Sequence, residues 1–167
     1  MLTDLVQIKR LGDKQRDENL RLRMHLKRRE HNERRLIKIA QQVEEEIDCL
    51  ECANCCRVAT AKVTDRDVEK LAKHFSMTPG KFKAQYTEPN EEEGRILKRT
   101  ESGCVFLDGN YCTVYESRPQ SCDLFPHMAK GPGSLVSRMW EMPDRASYCP
   151  IVYNTLELWK DEVGFQR

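Results

Sequence analysis

The feature that most constrains this chain is a run of four cysteines in eight residues. Cys49, Cys52, Cys55 and Cys56 are spaced C-x2-C-x2-C-C within DCLECANCC. Four more follow, Cys104, Cys112, Cys122 and Cys149, separated by 47, 7, 9 and 26 residues counting from Cys56. Disulfides suit the cluster poorly, because bridged partners need particular Cα distances and side-chain directions. A reducing compartment disfavours them further. Cysteine is a good small core residue, but a core does not call for this spacing. Metal chelation does: a two-residue spacer lets two thiolates face one ion from a tight turn, where backbone N–H groups offset their charge. The metal ligands expected are therefore Cys49, Cys52, Cys55, Cys56, Cys104, Cys112, Cys122 and Cys149. Eight thiolates suffice for two four-sulfur sites, or for one cluster with a second, partly occupied site.

The spacing leaves the metal open. C-x2-C-x2-C with a distant Cys149-Pro150 echoes the bacterial ferredoxin run that ends in Cys-Pro. Cys104, Cys112 and Cys122 do not form a second C-x2-C knuckle, which departs from a two-knuckle zinc ribbon. Four neighbouring thiolates favour a polynuclear or high-valent cationic centre. An iron–sulfur cluster or iron is thus favoured, with zinc as the alternative.

Composition fits a metal-dependent fold. Hydrophobic residues make up 39% of the 167, below the roughly 45–50% usual in globular chains. Metal ligation supplies folding free energy that a thin core lacks. No stretch reaches the roughly 20 apolar residues of a membrane span. The N-terminus lacks the apolar core and cleavage site of a secretory signal. The expectation is a cytoplasmic protein without a membrane partner.

The formal net charge of +1 conceals an asymmetry: residues 1–48 carry 12 Lys/Arg against 10 Asp/Glu, and residues 49–167 carry 16 against 17. Residues 13–35 hold nine basic and five acidic residues. Within 13–47 helix formers dominate, no Pro or Gly intervenes, and Asp17–Arg21 and Glu30–Arg34 have the favourable i,i+4 order. This predicts one long helix. Leu20/Met24 and Leu22/Leu26 lie on opposite sides of it, whereas Leu36, Ala40, Val43 and Ile47 form one apolar face. The basic window reads as a solvated arm. Contact with nucleic acid through it is possible but weak, because the window has no interleaved aromatic and is interrupted by acids. The expected division is 1–47, a basic helical extension, and 48–167, a cysteine-cluster metal-binding domain.

Downstream, Thr64 and Asp67 form a capping box ahead of Val68, Leu71, Ala72 and Phe75. Thr78-Pro79 opens a second helix. PNEEEG at 89–94 reads as a solvated loop. Short strands are expected at 95–99, 105–107 and 111–114, with Asp108-Gly109-Asn110 as a hairpin turn that brings Cys104 and Cys112 together. Arg118-Pro119 opens a short helix bearing Cys122, 129–135 is loop, and 151–163 is helical. The fold class is α+β: a small, irregular, metal-stapled domain with short helices and a β-hairpin, preceded by a long N-terminal helix. Arg57 and Arg118 are expected to counter thiolate charge, and Tyr111 and Tyr115 to pack around the cluster. His127 reads as a loop histidine and His74 as a surface one. No arrangement identifies a catalytic acid, base or nucleophile, so whether the chain is an enzyme is left open, as is its oligomeric state.

These residues resemble the YkgJ-type cysteine-cluster proteins, the CxxCxxCC family of zinc- or iron-chelating domains. The resemblance rests on DCLECANCC (48–56), on CVFLDGNYCTVYESRPQSCDLFP (104–126) and on Cys149, with 63–86 as the helical insert between. It spans about residues 47–150 and departs at Asp123, where relatives often carry a basic residue. It implies metal binding through the cysteines and no single reaction. A redox or electron-transfer role, or an accessory role in a modification reaction, is expected; flagellin lysine N-methylases resemble the same cluster. The alternatives are a zinc-stabilised interaction module whose basic helix contacts a protein or RNA, and a metal enzyme with an open coordination position.

Overall fold

The computed structural model describes residues 1–167. The chain begins with helices α1 (Leu5–Lys14), α2 (Arg16–Arg28) and α3 (Glu33–Glu46). Two very short helices, α4 (Cys49–Cys52) and α5 (Asn54–Val58), precede α6 (Asp65–His74) and α7 (Pro79–Tyr86). Strands β1 (Thr87–Asn90), β2 (Gly94–Leu97), β3 (Arg99–Thr100), β4 (Gly103–Cys104), β5 (Leu107–Asp108) and β6 (Tyr111–Cys112) follow. They pair antiparallel in consecutive twos. A 3-10 turn (Tyr115–Ser117), α8 (Gln120–Asp123), α9 (Leu135–Arg138), α10 (Met142–Arg145) and α11 (Pro150–Glu162) complete the chain. The fold is mixed α+β, and no helix is long and apolar enough to cross a membrane. It divides into two compact units: residues 1–48 with 126–167, and residues 49–125. The compact units therefore cut the chain differently from a division by sequence character at 47/48.

In the first unit the single helix expected over 13–47 is instead interrupted twice. Gln15 closes α1 and opens α2 at φ −95°, ψ 6°. Arg29 is extended, and the Asn32 side chain accepts the Arg35 N–H at 3.1 Å to cap α3. Burial is the physical reason. Leu22, Leu26, Leu36, Ala40 and Val43 are each at most 2% exposed, and burying one such large side chain is worth roughly 1.5–3 kcal/mol. An i,i+4 ion pair that favours a continuous helix is worth only about 0.2–0.5 kcal/mol. The breaks let separate apolar faces turn inward, so the basic window is not a wholly solvated arm. Of its two opposed apolar pairs, Leu22/Leu26 is buried, while Leu20 is half-buried and Met24 is exposed.

Helix α3 lies along α11. There the buried Trp159 indole N–H donates to the Leu36 carbonyl at 2.8 Å, satisfying a donor that would otherwise be stranded. Lys160, fully buried on α11, donates to Glu18 and Glu157, each at 2.6 Å. At Gly12 of α1 a side chain has no room: a Cβ there would lie 2.5 Å from the Ala146 carbonyl oxygen and 2.5 Å from Ser147 Cα.

The second unit contains the expected helices. Thr64 accepts the Asp67 N–H and Asp67 returns the bond to the Thr64 N–H, the predicted capping box. Thr78 caps α7, with Pro79 first in the helix. Val68, Leu71, Phe82, Leu97, Phe106 and Val114 form the core. The rings of Phe75, Phe82, Tyr86 and Phe106 pack with centroids 5.1–6.3 Å apart. The solvated loop expected at 89–94 is a tight hairpin: Pro89 and Asn90 lie in β1, Gly94 in β2, and only 91–93 turn. The Asn90 side chain accepts the N–H groups of Glu92 and Glu93 at 3.0 and 2.8 Å, which is how Asn nucleates a turn. Strand pairing is shorter than expected, and residues 105–106 and 113–114 fall outside it. The turn at Asp108-Gly109-Asn110 is as expected, with Leu107 opposite Cys112 and Gly109 at φ +60°.

Gly12→Ala tests the close approach in the first unit. Alanine improves helix propensity by about 1 kcal/mol, while forcing a methyl into backbone at 2.5 Å costs about 1–3 kcal/mol. A net loss of up to about 2 kcal/mol in urea unfolding is expected. A gain in stability would show that α1 does not pack there.

Candidate metal centre

Helices of four and five residues have almost no internal hydrogen bonding to sustain them. At the end of α4 the Ala53 N–H donates to Cys49 O, and at the end of α5 the Ala59 N–H donates to Cys55 O, both at 2.8 Å. Between them Ala53 is left-handed, φ 45°, and buried. That conformation costs an L-residue roughly 1–2 kcal/mol, and it turns the chain so that the C-x2-C-x2-C-C run occupies two separate short helices.

Arg57 of α5, together with Arg99 and Asn110 from the hairpins, holds these helices. The Arg57 guanidinium donates to the Cys52 carbonyl at 2.9 Å, to Gly109 O at 3.0 Å, and to the Asn110 side chain. Asn110 in turn donates to Glu51 O at 2.7 Å. Arg99 donates to the carbonyls of Arg57 and Ala59, closing the end of α5. The β3–β4 turn lies directly on α5. Gly103 sits there at φ +129°, and a Cβ on it would lie 2.5 Å from Cys56 O and 2.8 Å from Arg57 Cα. Only glycine allows that approach, which sets Cys104 beside Cys56.

The result is a cavity of about 190 Å3 within the second unit, lined by Cys49, Cys55, Cys56, Cys104, Cys112 and Cys122. Phe106, Val114 and Phe125 supply apolar wall. Cys52, half-buried on α4, is not among the lining residues. Cys149 belongs to the first unit, where it is buried at the start of α11. None of the eight cysteines is joined in a disulfide.

Four of the thiols share one electrostatic environment. A hydrogen bond from Cys55 lowers the Cys56 thiol to about 7, with Arg57 and Arg99 assisting against burial. Burial pushes Cys104 and Cys112 up, opposed by the backbone N–H groups of Phe106 and Val114 respectively. Burial pushes Cys122 up to about 12, and the neighbouring Cys104, Cys56 and Cys112 add to it. Such a group does not ionise together without a cation to compensate it. The donor set suits a thiophilic metal: it is soft sulfur in a largely apolar cavity. As the side chains stand, no three Cys, His, Asp or Glu groups already converge as a ligand set, so a bound metal would draw the thiols inward.

Arg118 stacks on Tyr115, 4.0 Å from its ring centroid, and pairs with Asp123 at 2.6 Å. Asp123, the departure from the resemblance, thus partners the arginine next to the cavity. Tyr115 lines the cavity, whereas Tyr111 is 60% exposed and does not pack around it as expected. His127 lies in the first unit at φ 68°, and His74 is an exposed neighbour of Ser117 at 3.1 Å. Sequence reading did not single out Arg99, Asn110 as a carbonyl anchor, or Gly103. Their roles depend on contacts across some 40–60 residues, and no local pattern encodes them.

The chain matches one family model, CxxCxxCC, described as "Putative zinc- or iron-chelating domain", over residues 48–150. No curated protein and no solved structure matches it significantly. The matched region takes in all eight cysteines and more than half of the sequence, and the chain therefore belongs to the CxxCxxCC family of metal-chelating domains.

Proposed function

We propose that the chain holds an iron–sulfur cluster, or iron, in the thiol cavity of residues 49–125 and serves as a redox or electron-transfer module, or as an accessory to a modification reaction. The observation that carries this reading is six cysteines lining one cavity of about 190 Å3. Six sulfurs around one space exceed the four that a single tetrahedral ion takes, which favours a polynuclear centre. Cys56, Cys104, Cys112 and Cys122, whose thiols perturb one another, and Cys49 and Cys55, which line the same cavity, are the proposed ligands within the second unit. When bound, such a centre supplies one-electron chemistry tuned by burial and by hydrogen bonds to sulfur. Arg57, Arg99 and Arg118 offset thiolate charge and keep the two short helices in place. Eight cysteines with no disulfide among them suit the reducing cytoplasm.

A second reading is a zinc-stabilised interaction module that contacts a protein or RNA through its basic helices. Its support is the shortness of α4 and α5, which a structural ion would stabilise.

Anaerobic purification followed by metal analysis with visible and electron paramagnetic spectra separates the two. Iron with acid-labile sulfide is expected, and Cys104→Ser should lose most of it. Colourless protein containing only zinc supports the second reading, and a metal-free, fully folded protein contradicts both.

Gly103→Ala probes the geometry without removing a sulfur. A positive φ and a contact with backbone together should cost about 2 kcal/mol or more and lower the bound metal. Gly109→Ala is the control, since its φ is also positive but nothing lies within 4 Å; it should retain metal. Equal metal content in the two variants would contradict the close approach.

A further inference from the structure

In isolation the basic window lacks an aromatic partner, but the fold provides one. Trp140, between α9 and α10, is 68% exposed, and the Arg23 guanidinium from α2 lies over its ring at 5.1 Å from the centroid. Arg23 is held in that position by donating to Val136 O at 3.1 Å. It also borders an open hollow of about 750 Å3 that Lys27, Arg29 and His31 line. None of Arg23, Lys27 and Arg29 is in an ion pair. Two carboxylates also border the hollow, Glu30 and Glu33, and Glu33 accepts the Leu135 N–H at 3.2 Å. A smaller hollow, to which Trp140 and Arg138 contribute, adjoins through the shared Ser137. Arg138 spends its donors on the loop carbonyls of His127 and Gly133 at 3.1 and 2.7 Å, so it shapes this surface rather than meeting a ligand.

We propose that this surface of the first unit binds single-stranded nucleic acid, with a base stacked on Trp140 and the adjoining phosphates met by Arg23, Lys27 and Arg29. Unneutralised cations beside a flat, exposed aromatic are the combination that single strands use: stacking is tolerant of sequence, and the cations track the backbone. An acidic peptide would satisfy the cations but has no use for an indole held open and braced by arginine. The proposal is independent of which metal the thiol cavity holds.

The test uses the full chain as purified, with labelled oligouridylate and oligothymidylate as probes and oligoglutamate as the competing class. Trp159 is fully buried, so quenching of tryptophan emission reports Trp140. Oligonucleotide binding should quench that emission and weaken steeply with salt. Trp140→Ala should weaken binding by about tenfold, and Trp140→Phe should restore most of it. Lys27→Gln with Arg29→Gln should flatten the salt dependence. Each variant should keep its metal content and melting temperature. Three results would overturn the proposal: no binding to either oligonucleotide at low salt, equal affinity in wild type and Trp140→Ala, or binding confined to oligoglutamate. A preference between the two oligonucleotides would identify the nucleic acid.

Discussion

The second unit depends on how the carbonyls of two very short helices are satisfied. Helices α4 and α5 carry all four clustered cysteines, yet they are too short to persist alone. The guanidinium groups of Arg57 and Arg99 and the amide of Asn110 take the carbonyls of Glu51, Cys52, Arg57 and Ala59. Arg57 belongs to α5 itself, whereas Arg99 and Asn110 arise on β3 and the β5–β6 turn, so the cysteine run is tied to the same hairpins that present Cys104 and Cys112. Gly103 completes the arrangement by letting backbone meet backbone beside Cys56. The cavity is thus a consequence of hydrogen bonding and close approach, with the thiols as its lining.

Electrostatics then decides what such a lining is suited to. Burial raises Cys104, Cys112 and Cys122, and only Cys56 is brought down, to about 7. Without a cation most of the set stays protonated. A cation that draws the thiolates together removes that penalty and adds bonds which the modest core, centred on Phe82 and Phe106, does not supply. Proton release on metal uptake follows from the same balance. Charge in the first unit is handled differently. Lys160 is buried between two carboxylates, while Arg23, Lys27 and Arg29 stay unpaired beside an exposed indole.

Local signals were legible wherever the chemistry is local. The Thr64–Asp67 capping box, the Thr78-Pro79 helix start and the Asp108-Gly109-Asn110 turn all depend on residues within one or two turns of each other. The cysteine spacing announced a metal site because two-residue spacers have few other uses. The breaks at Gln15 and 29–32 were not legible, because helix formers fill the window and the benefit of breaking it lies in burial against distant elements. The opposed pairs Leu20/Met24 and Leu22/Leu26 and the capping residue Asn32 were the available clues. Arg99, Gly103 and the Arg23–Trp140 stack were hidden for the same reason: each acts through a partner far away in sequence.

X-ray absorption at the metal edge of the anaerobically purified protein tests the thiol cavity most directly. All-sulfur ligation is expected, at about 2.3 Å if the metal is zinc, or with an added short metal–metal vector if it is an iron–sulfur cluster. The sulfur signal should collapse in Cys104→Ser. A coordination sphere dominated by nitrogen and oxygen, unchanged by that substitution, would contradict it.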